Sequence, residues 1–197
     1  IQDKVVLITG CGGSIGSEIV RQLLDSEPKK IILFDVSEFN LFNIERECQA
    51  IKSAKKINTV IEPILGDIKC FKSLDSLFNK FNIDCVYHAA AYKHVPLVES
   101  VNNITKACEN NVIGTYNLAK VSVQNETGSF VMISTDKAVR PSNVMGASKR
   151  MAESEDKRTI VRKIATSTFV LILKILFKTS LSDTHGMKAI RRDNMQK

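Results

Sequence analysis

The stretch Val5–Glu18, VVLITGCGGSIGSE, constrains the fold of this chain more than any other. The apolar run that ends at Thr9 reads as a buried parallel strand, and the apolar spacing over Ser17–Leu24 reads as a helix. Between them Gly10, Gly13 and Gly16 stand at the spacing G-x-x-G-x-x-G. Glycines so placed let the backbone turn sharply, let a pyrophosphate approach without meeting Cβ atoms, and let the helix pack close to the strand. The N–H groups of the helix N-terminus, around Ser14, Ile15 and Gly16, are then the expected phosphate donors. A tight βα turn without a ligand has the same spacing, so position carries the argument. The motif opens an alternating β/α chain, and an acidic residue closes the next strand.

That second strand is Lys30–Phe34, and the acidic residue is Asp35. A carboxylate there can accept hydrogen bonds from both hydroxyls of an adenosine ribose and repels a 2′-phosphate, which favours NAD over NADP. The competing reading is a surface Asp opening the next helix, where Ser37 suits an N-cap. Helices are expected over Phe39–Ile51 and Phe71–Phe81, with a third strand, Asn58–Leu65, between them. Gly66-Asp67-Ile68 follows that strand, where a carboxylate and an apolar side chain can bracket an adenine ring or simply form a turn.

The fourth strand, Asp84–His88, runs into Ala89-Ala90-Ala91, small residues at the carboxyl end of the sheet where ligands of doubly wound folds collect. Lys93 and His94 come next as candidate substrate contacts or plain loop residues. Val101–Val123 reads as one long helix with Asn110, Asn111, Gly114, Thr115 and Asn117 through its middle. Polar residues in a buried helix are costly unless something uses them, so Asn111 is expected to bond a main-chain or active-site group. The fifth strand, Ser129–Ser134, ends in Thr135-Asp136-Lys137, and a helix begins at Val144-Met145-Gly146-Ala147-Ser148-Lys149. Strands and helices alternate throughout. The fold expected is α/β, a doubly wound parallel sheet with helices on both faces and right-handed crossovers.

Composition narrows the function. Of the net charge of +7, residues 1–150 supply only +2 and residues 151–197 supply +5, so the body carries no continuous basic stripe and nucleic acid is not an expected partner. No apolar run is long enough to span a bilayer, and no cleavable leader is recognisable, so a cytoplasmic setting is expected. The five cysteines, Cys11, Cys48, Cys70, Cys85 and Cys108, include no C-x-x-C pair, which argues for reduced thiols and against a metal site.

Taken in order, TGCGGSIGSE, LFDVSEFNL, HAAAYKHVPLVE, NNVIGTYNL and STDKAVRPSNVMGASKRMAE resemble the nucleotide-sugar dehydratases of the extended short-chain dehydrogenase/reductase superfamily. Within it the chain is most similar to the polysaccharide-biosynthesis UDP-N-acetylglucosamine 4,6-dehydratases, over about Lys4–Glu153. Full-length relatives often carry a membrane-anchored N-terminal region. The resemblance implies a Rossmann, NAD(P)-binding domain, placed at residues 1–180, and an internal redox cycle with NAD as cofactor. Hydride leaves sugar C4, the C5 proton becomes acidic, water departs from C6, and the hydride returns to C6.

By this similarity Thr135 contacts the sugar 4-hydroxyl, Asp136 protonates the departing 6-hydroxyl, Lys137 moves the C5 proton, and Lys149 binds the nicotinamide ribose. Met145 stands where most relatives have tyrosine and has no ionisable proton, so proton removal from the 4-hydroxyl must pass through another group. The implied partners are a nucleotide-sugar substrate and further copies of the chain. After Glu153 the family's wording stops, and most of a C-terminal substrate domain is not recognisable. A frameshift or truncation would produce such an ending. Ser167–Phe177 can still form a sixth strand, whereas residues 181–197 read as a disordered basic tail. The rival readings are a non-catalytic dinucleotide-binding remnant and a nucleotide-sugar epimerase or reductase on the same scaffold.

Overall fold

A computed structural model describes residues 1–154 and 187–191. Its strands are β1 (Val5–Thr9), β2 (Lys30–Asp35), β3 (Val60–Leu65), β4 (Cys85–His88), β5 (Ser129–Ile133) and β6 (Met187–Arg191). They form one sheet in the order β3-β2-β1-β4-β5-β6. The first five are parallel, each joined to the next in the chain through a helical crossover as parallel strands require. The order reverses at β1, between β2 and β4, and that switch point opens a crevice at the carboxyl ends of the strands.

Helices α1 (Ser14–Leu24) and α2 (Glu38–Lys55) cover one face of the sheet. Helices α3 (Phe71–Lys80) and α6 (Thr115–Gln124) cover the other. Alternation along β1 explains the division: Val6 and Ile8 pack with Val20, Leu24 and Ile44, while Leu7 packs with Leu74, Phe78 and Leu118. A strand buried on both sides must be apolar at every position, which is why β1 and β2 read as continuous apolar runs. At the edge, β3 tolerates Pro63, whose missing N–H would cost a ladder bond in a central strand.

The described chain departs from the sequence reading in two places. Val101–Val123 is not a uniform helix: α5 (Val101–Cys108), preceded by the short α4 (Val95–Val98), passes through a π-helical turn at Glu109–Gly114 into α6. Helical periodicity cannot reveal one widened turn, because the apolar positions on either side keep their spacing. The expected disordered tail is corrected at Met187–Arg191, which pairs antiparallel with β5 from Ser129↔Arg191 to Ile133↔Met187. Without this strand the outer edge of β5 would present unpaired N–H and C=O groups, and a strand this short leaves little pattern in a polar segment. The expected strand Ser167–Phe177 lies outside the described residues. Helix α7 (Val144–Ser154) closes the site side of β5.

Candidate functional site

An open cleft of about 490 Å³ occupies the switch-point crevice, a size ordinary for a small-molecule site. Its floor is the turn between β1 and α1. Gly10 has φ +68°, and a Cβ there would stand 2.6 Å from Ala90 Cα. A Cβ on Gly16 would stand 2.0 Å from the Gly10 carbonyl oxygen, so α1 reaches this close to the turn only with glycine at that position. Gly13 is the N-cap of α1 and offers no side-chain bond to the first helical amides, which leaves them directed at the cleft. Gly10, Gly13, Ser14, Ile15 and Gly16 all line it. The cradle fits a pyrophosphate: the space that Cβ atoms would take is backbone, and the exposed donors are helix N-terminal amides.

Asp35 ends β2 at one side of the cleft and is nearly buried. Its Oδ2 accepts from Gly12 N at 2.9 Å and its Oδ1 from Ser37 N at 2.9 Å, so backbone fixes the carboxylate while its face stays toward the cleft. Ser37 also caps α2 by accepting from Asn40 N. Ser37, not Asp35, therefore opens α2, and the Asp35 carboxylate is a buried group of the cleft wall rather than a surface one. Asp67 accepts from Lys69 N and pairs with its ammonium at 3.3 Å, while Ile68 is buried beneath Gly114, where a Cβ would lie 2.6 Å from Ile68 Cδ1. Both line the cleft, as do Ala89, Ala90, Ala91 and Lys93.

The far wall comes from β5 and α7. Thr135, Lys137, Met145 and Lys149 face the cleft together with Ile133 and Ser134. Lys149 is 8% exposed, and its ammonium donates to the Ile133 carbonyl at 2.9 Å. Burial lowers its pKa to about 8; Glu153, one turn on, offsets this in part and Lys93 adds to it. Ser134 donates its hydroxyl to the buried Glu153 carboxylate. Met145 is buried against Val98 and Ala107. Gly146 lets α7 approach the Thr135–Lys137 turn, since a Cβ there would stand 2.4 Å from the Lys137 carbonyl oxygen.

Three residues singled out in the sequence stand elsewhere. Asp136 lies beside the wall, its Oδ1 accepting from Thr135 Oγ1 and from Lys137 N, each at 2.9 Å. His94 is exposed, is the N-cap of α4 and does not line the cleft. Asn111 is buried and commits its amide to protein: Oδ1 accepts from Tyr92 N at 2.8 Å, and Nδ2 donates to Tyr92 O and Ser148 Oγ, each at 3.0 Å. The expectation that it bonds a main-chain group matches this geometry, and Asn111 itself does not line the cleft. Sequence reasoning missed Asn40, Tyr92, Asn110 and Ser134 in the wall. Ser134 adjoins the Thr-Asp-Lys triplet and was within reach of that signal; Asn40, whose Cβ the missing side chain of Gly12 accommodates, comes from another helix and left none.

A doubly wound sheet with a glycine cradle, an acidic residue closing its second strand and the cleft at its switch point defines a Rossmann-type fold. The chain belongs to the family described as polysaccharide biosynthesis protein, which matches residues 6–172 and so extends past the last motif recognised in the sequence. It is 46% identical over 155 residues to the capsular polysaccharide biosynthesis protein CapD of Staphylococcus aureus, a match covering 78% of this chain and 25% of CapD. Among solved structures, Pen from Bacillus thuringiensis superposes with a TM-score of 0.67 at 34% identity, over 78% of this chain and 44% of that one. The dTDP-glucose 4,6-dehydratase DesIV from Streptomyces venezuelae, solved with NAD bound, gives 0.62 at 26% identity, over 77% and 50%. The chain thus spans about a quarter of the length of CapD and half or less of these two solved chains. Among the described residues no helix is long and apolar enough to cross a membrane.

Proposed function

We propose that this chain is the dinucleotide-binding part of an NAD-dependent nucleotide-sugar 4,6-dehydratase that acts on a UDP-N-acetylhexosamine in surface polysaccharide biosynthesis. The observation that carries the reading is the shared wall: Lys137, Met145 and Lys149 face the same cleft as the glycine cradle, with a thioether where an ionisable group would serve a simple dehydrogenase.

NAD would supply, when bound, a hydride acceptor for sugar C4 and a donor for C6. The amides at Ser14, Ile15 and Gly16 hold the pyrophosphate and Asp35 accepts from the adenosine ribose. Lys149, steadied by the Ile133 carbonyl, donates to the nicotinamide ribose. Thr135 donates to Asp136 and accepts from Lys137 N at 3.4 Å, so the second lone pair of its oxygen accepts from the sugar 4-hydroxyl and the proton passes to the Asp136 carboxylate. Asp136 then gives it to the departing 6-hydroxyl, which leaves as water. Lys137 takes the C5 proton and returns it once hydride has reached C6, so both side chains end as they began.

Incubating a form of the protein that includes its complete substrate-binding part with UDP-N-acetylglucosamine tests this reading. A 4-keto-6-deoxy product supports it. A 4-epimer would instead assign the chain to the epimerases of the same scaffold, and NAD binding without turnover would leave a dinucleotide-binding part alone.

A further inference from the structure

His88 ends β4 and lies in the core, 1% exposed, with its ring tilted against Phe130. Its Nδ1 is 2.7 Å from Thr9 Oγ1 and its Nε2 is 2.9 Å from Thr115 Oγ1. A third bond fixes the direction of the other two. The Thr115 hydroxyl donates to the Asn111 carbonyl at 2.7 Å, and a hydroxyl has one proton, so its oxygen can only accept from His88. The imidazole therefore carries a proton on Nε2. Burial and the nearby Lys149 charge hold the ring's pKa down to about 3, so the ring is neutral and Nδ1 accepts from Thr9.

The chain of donors thus runs Thr9 to His88 to Thr115 to the backbone of Asn111. The Asn111 side chain continues it by clamping Tyr92 N and O and by donating to Ser148, whose hydroxyl donates to the Met145 carbonyl at 2.8 Å. One end of this network is Thr9, at the root of the glycine turn that floors the cleft, and the other is the Tyr92–Lys93 loop and Met145, which line it. The links through His88, Thr115, Asn111 and Ser148 are buried, where an unpaired polar group is costly, and only the two bonds to the Tyr92 backbone are part-buried, so losing one buried bond releases its neighbours from their present geometry.

We propose that His88 is a positioning residue: as the neutral Nε2–H tautomer it ties the root of the glycine turn to the π-helical turn bearing Asn111. It thereby sets the Tyr92–Lys93 loop at the end of the cleft away from Asp35. The proposal rests on the dinucleotide reading of the cleft. It assigns His88 to the nicotinamide half of the ligand and leaves the adenosine half to the Asp35 side.

The test has two arms on the chain as it stands. A long-range proton–nitrogen spectrum of the parent should show His88 protonated at Nε2 only, unchanged between about pH 5 and 8. His88→Gln keeps an amide donor near the position of Nε2, whereas His88→Asn reaches only the position of Nδ1. Calorimetric titration should show His88→Asn weakening NAD about tenfold while ADP stays within about twofold, with His88→Gln close to the parent for both. A general loss of structure would weaken both ligands alike. An Nδ1–H tautomer, a ring that titrates in that window, or equal effects of His88→Asn on NAD and ADP would overturn the assignment. The spectrum alone decides it if His88→Asn fails to fold. A parent that binds neither ligand would overturn the dinucleotide reading and this proposal with it.

Discussion

The backbone N–H of Gly12 donates to the carboxylate of Asp35 across 2.9 Å, so the glycine turn and the end of β2 hold one another in place. The same carboxylate accepts from Ser37 N, and it therefore presents a fixed negative charge where an adenosine ribose would lie. NAD should accordingly bind more tightly than NADP, by about tenfold or more, and Asp35→Ser should narrow the gap. Titration of both cofactors against parent and variant measures it. Tighter binding of NADP by the parent would remove Asp35 from the ribose.

The three glycines should respond unequally to alanine. A Cβ at Gly16 meets the Gly10 carbonyl oxygen at 2.0 Å, and Gly10 is held at φ +68°, whereas a Cβ at Gly13 stays 3.3 Å from its nearest neighbour. Gly16→Ala and Gly10→Ala should each lose roughly 1–3 kcal/mol of stability, while Gly13→Ala should keep its fold. Gly13→Val should also fold, yet lose NAD binding, because the branched side chain fills the space of the pyrophosphate. Denaturant melts beside NAD titrations separate the two effects.

Lys149 gives a pH signature. Its pKa is lowered to about 8 by burial, so between pH 8 and the ordinary lysine value the unfolded chain binds a proton that the folded chain has released. Stability from this group therefore rises as pH rises through about 8 and is fully present above the unfolded value. Between about pH 7 and 9.5 the gain is on the order of 2 kcal/mol. Urea melts of parent and Lys149→Met at both pH values isolate it, and a difference between the two proteins that does not grow with pH would contradict the assignment.

In a form with its complete substrate-binding part, Lys137→Ala should leave NAD affinity near normal and lower turnover by roughly 10²–10⁴-fold. Met145→Leu keeps volume in its buried contact with Val98 and Ala107 and should cost far less. Solvent-deuterium exchange at sugar C5 is the sharper readout, and exchange at the parent rate in Lys137→Ala would transfer the proton to another group.

Much of this was legible because it is local or periodic. The strand, glycine turn and helix at Val5–Leu24 and the carboxylate ending β2 occupy adjacent positions, and the alternation of Val6, Leu7 and Ile8 between two cores follows from strand geometry. What stayed hidden depends on partners far along the chain. Nothing near Gly12 announces Asn40, and nothing near His88 announces Thr9 or Thr115. Asp136 shows a different limit. Its place in Thr-Asp-Lys was plain, but the direction of its carboxylate is set inside the 3₁₀ turn that Thr135 caps, where it accepts from Lys137 N.

The π-helical turn at Glu109–Gly114 acts as a phase shift within one continuous rod. A single extra residue per turn rotates everything beyond it by about 100° about the axis relative to an unbroken α-helix. That rotation lets Asn111 face the Tyr92 loop while Leu118 and Val121, on the same rod, still face the sheet. A one-residue deletion between Cys108 and Thr115 would therefore keep the segment helical and yet put its two ends out of step. Either the amide clamp or the core contacts would survive it, and not both.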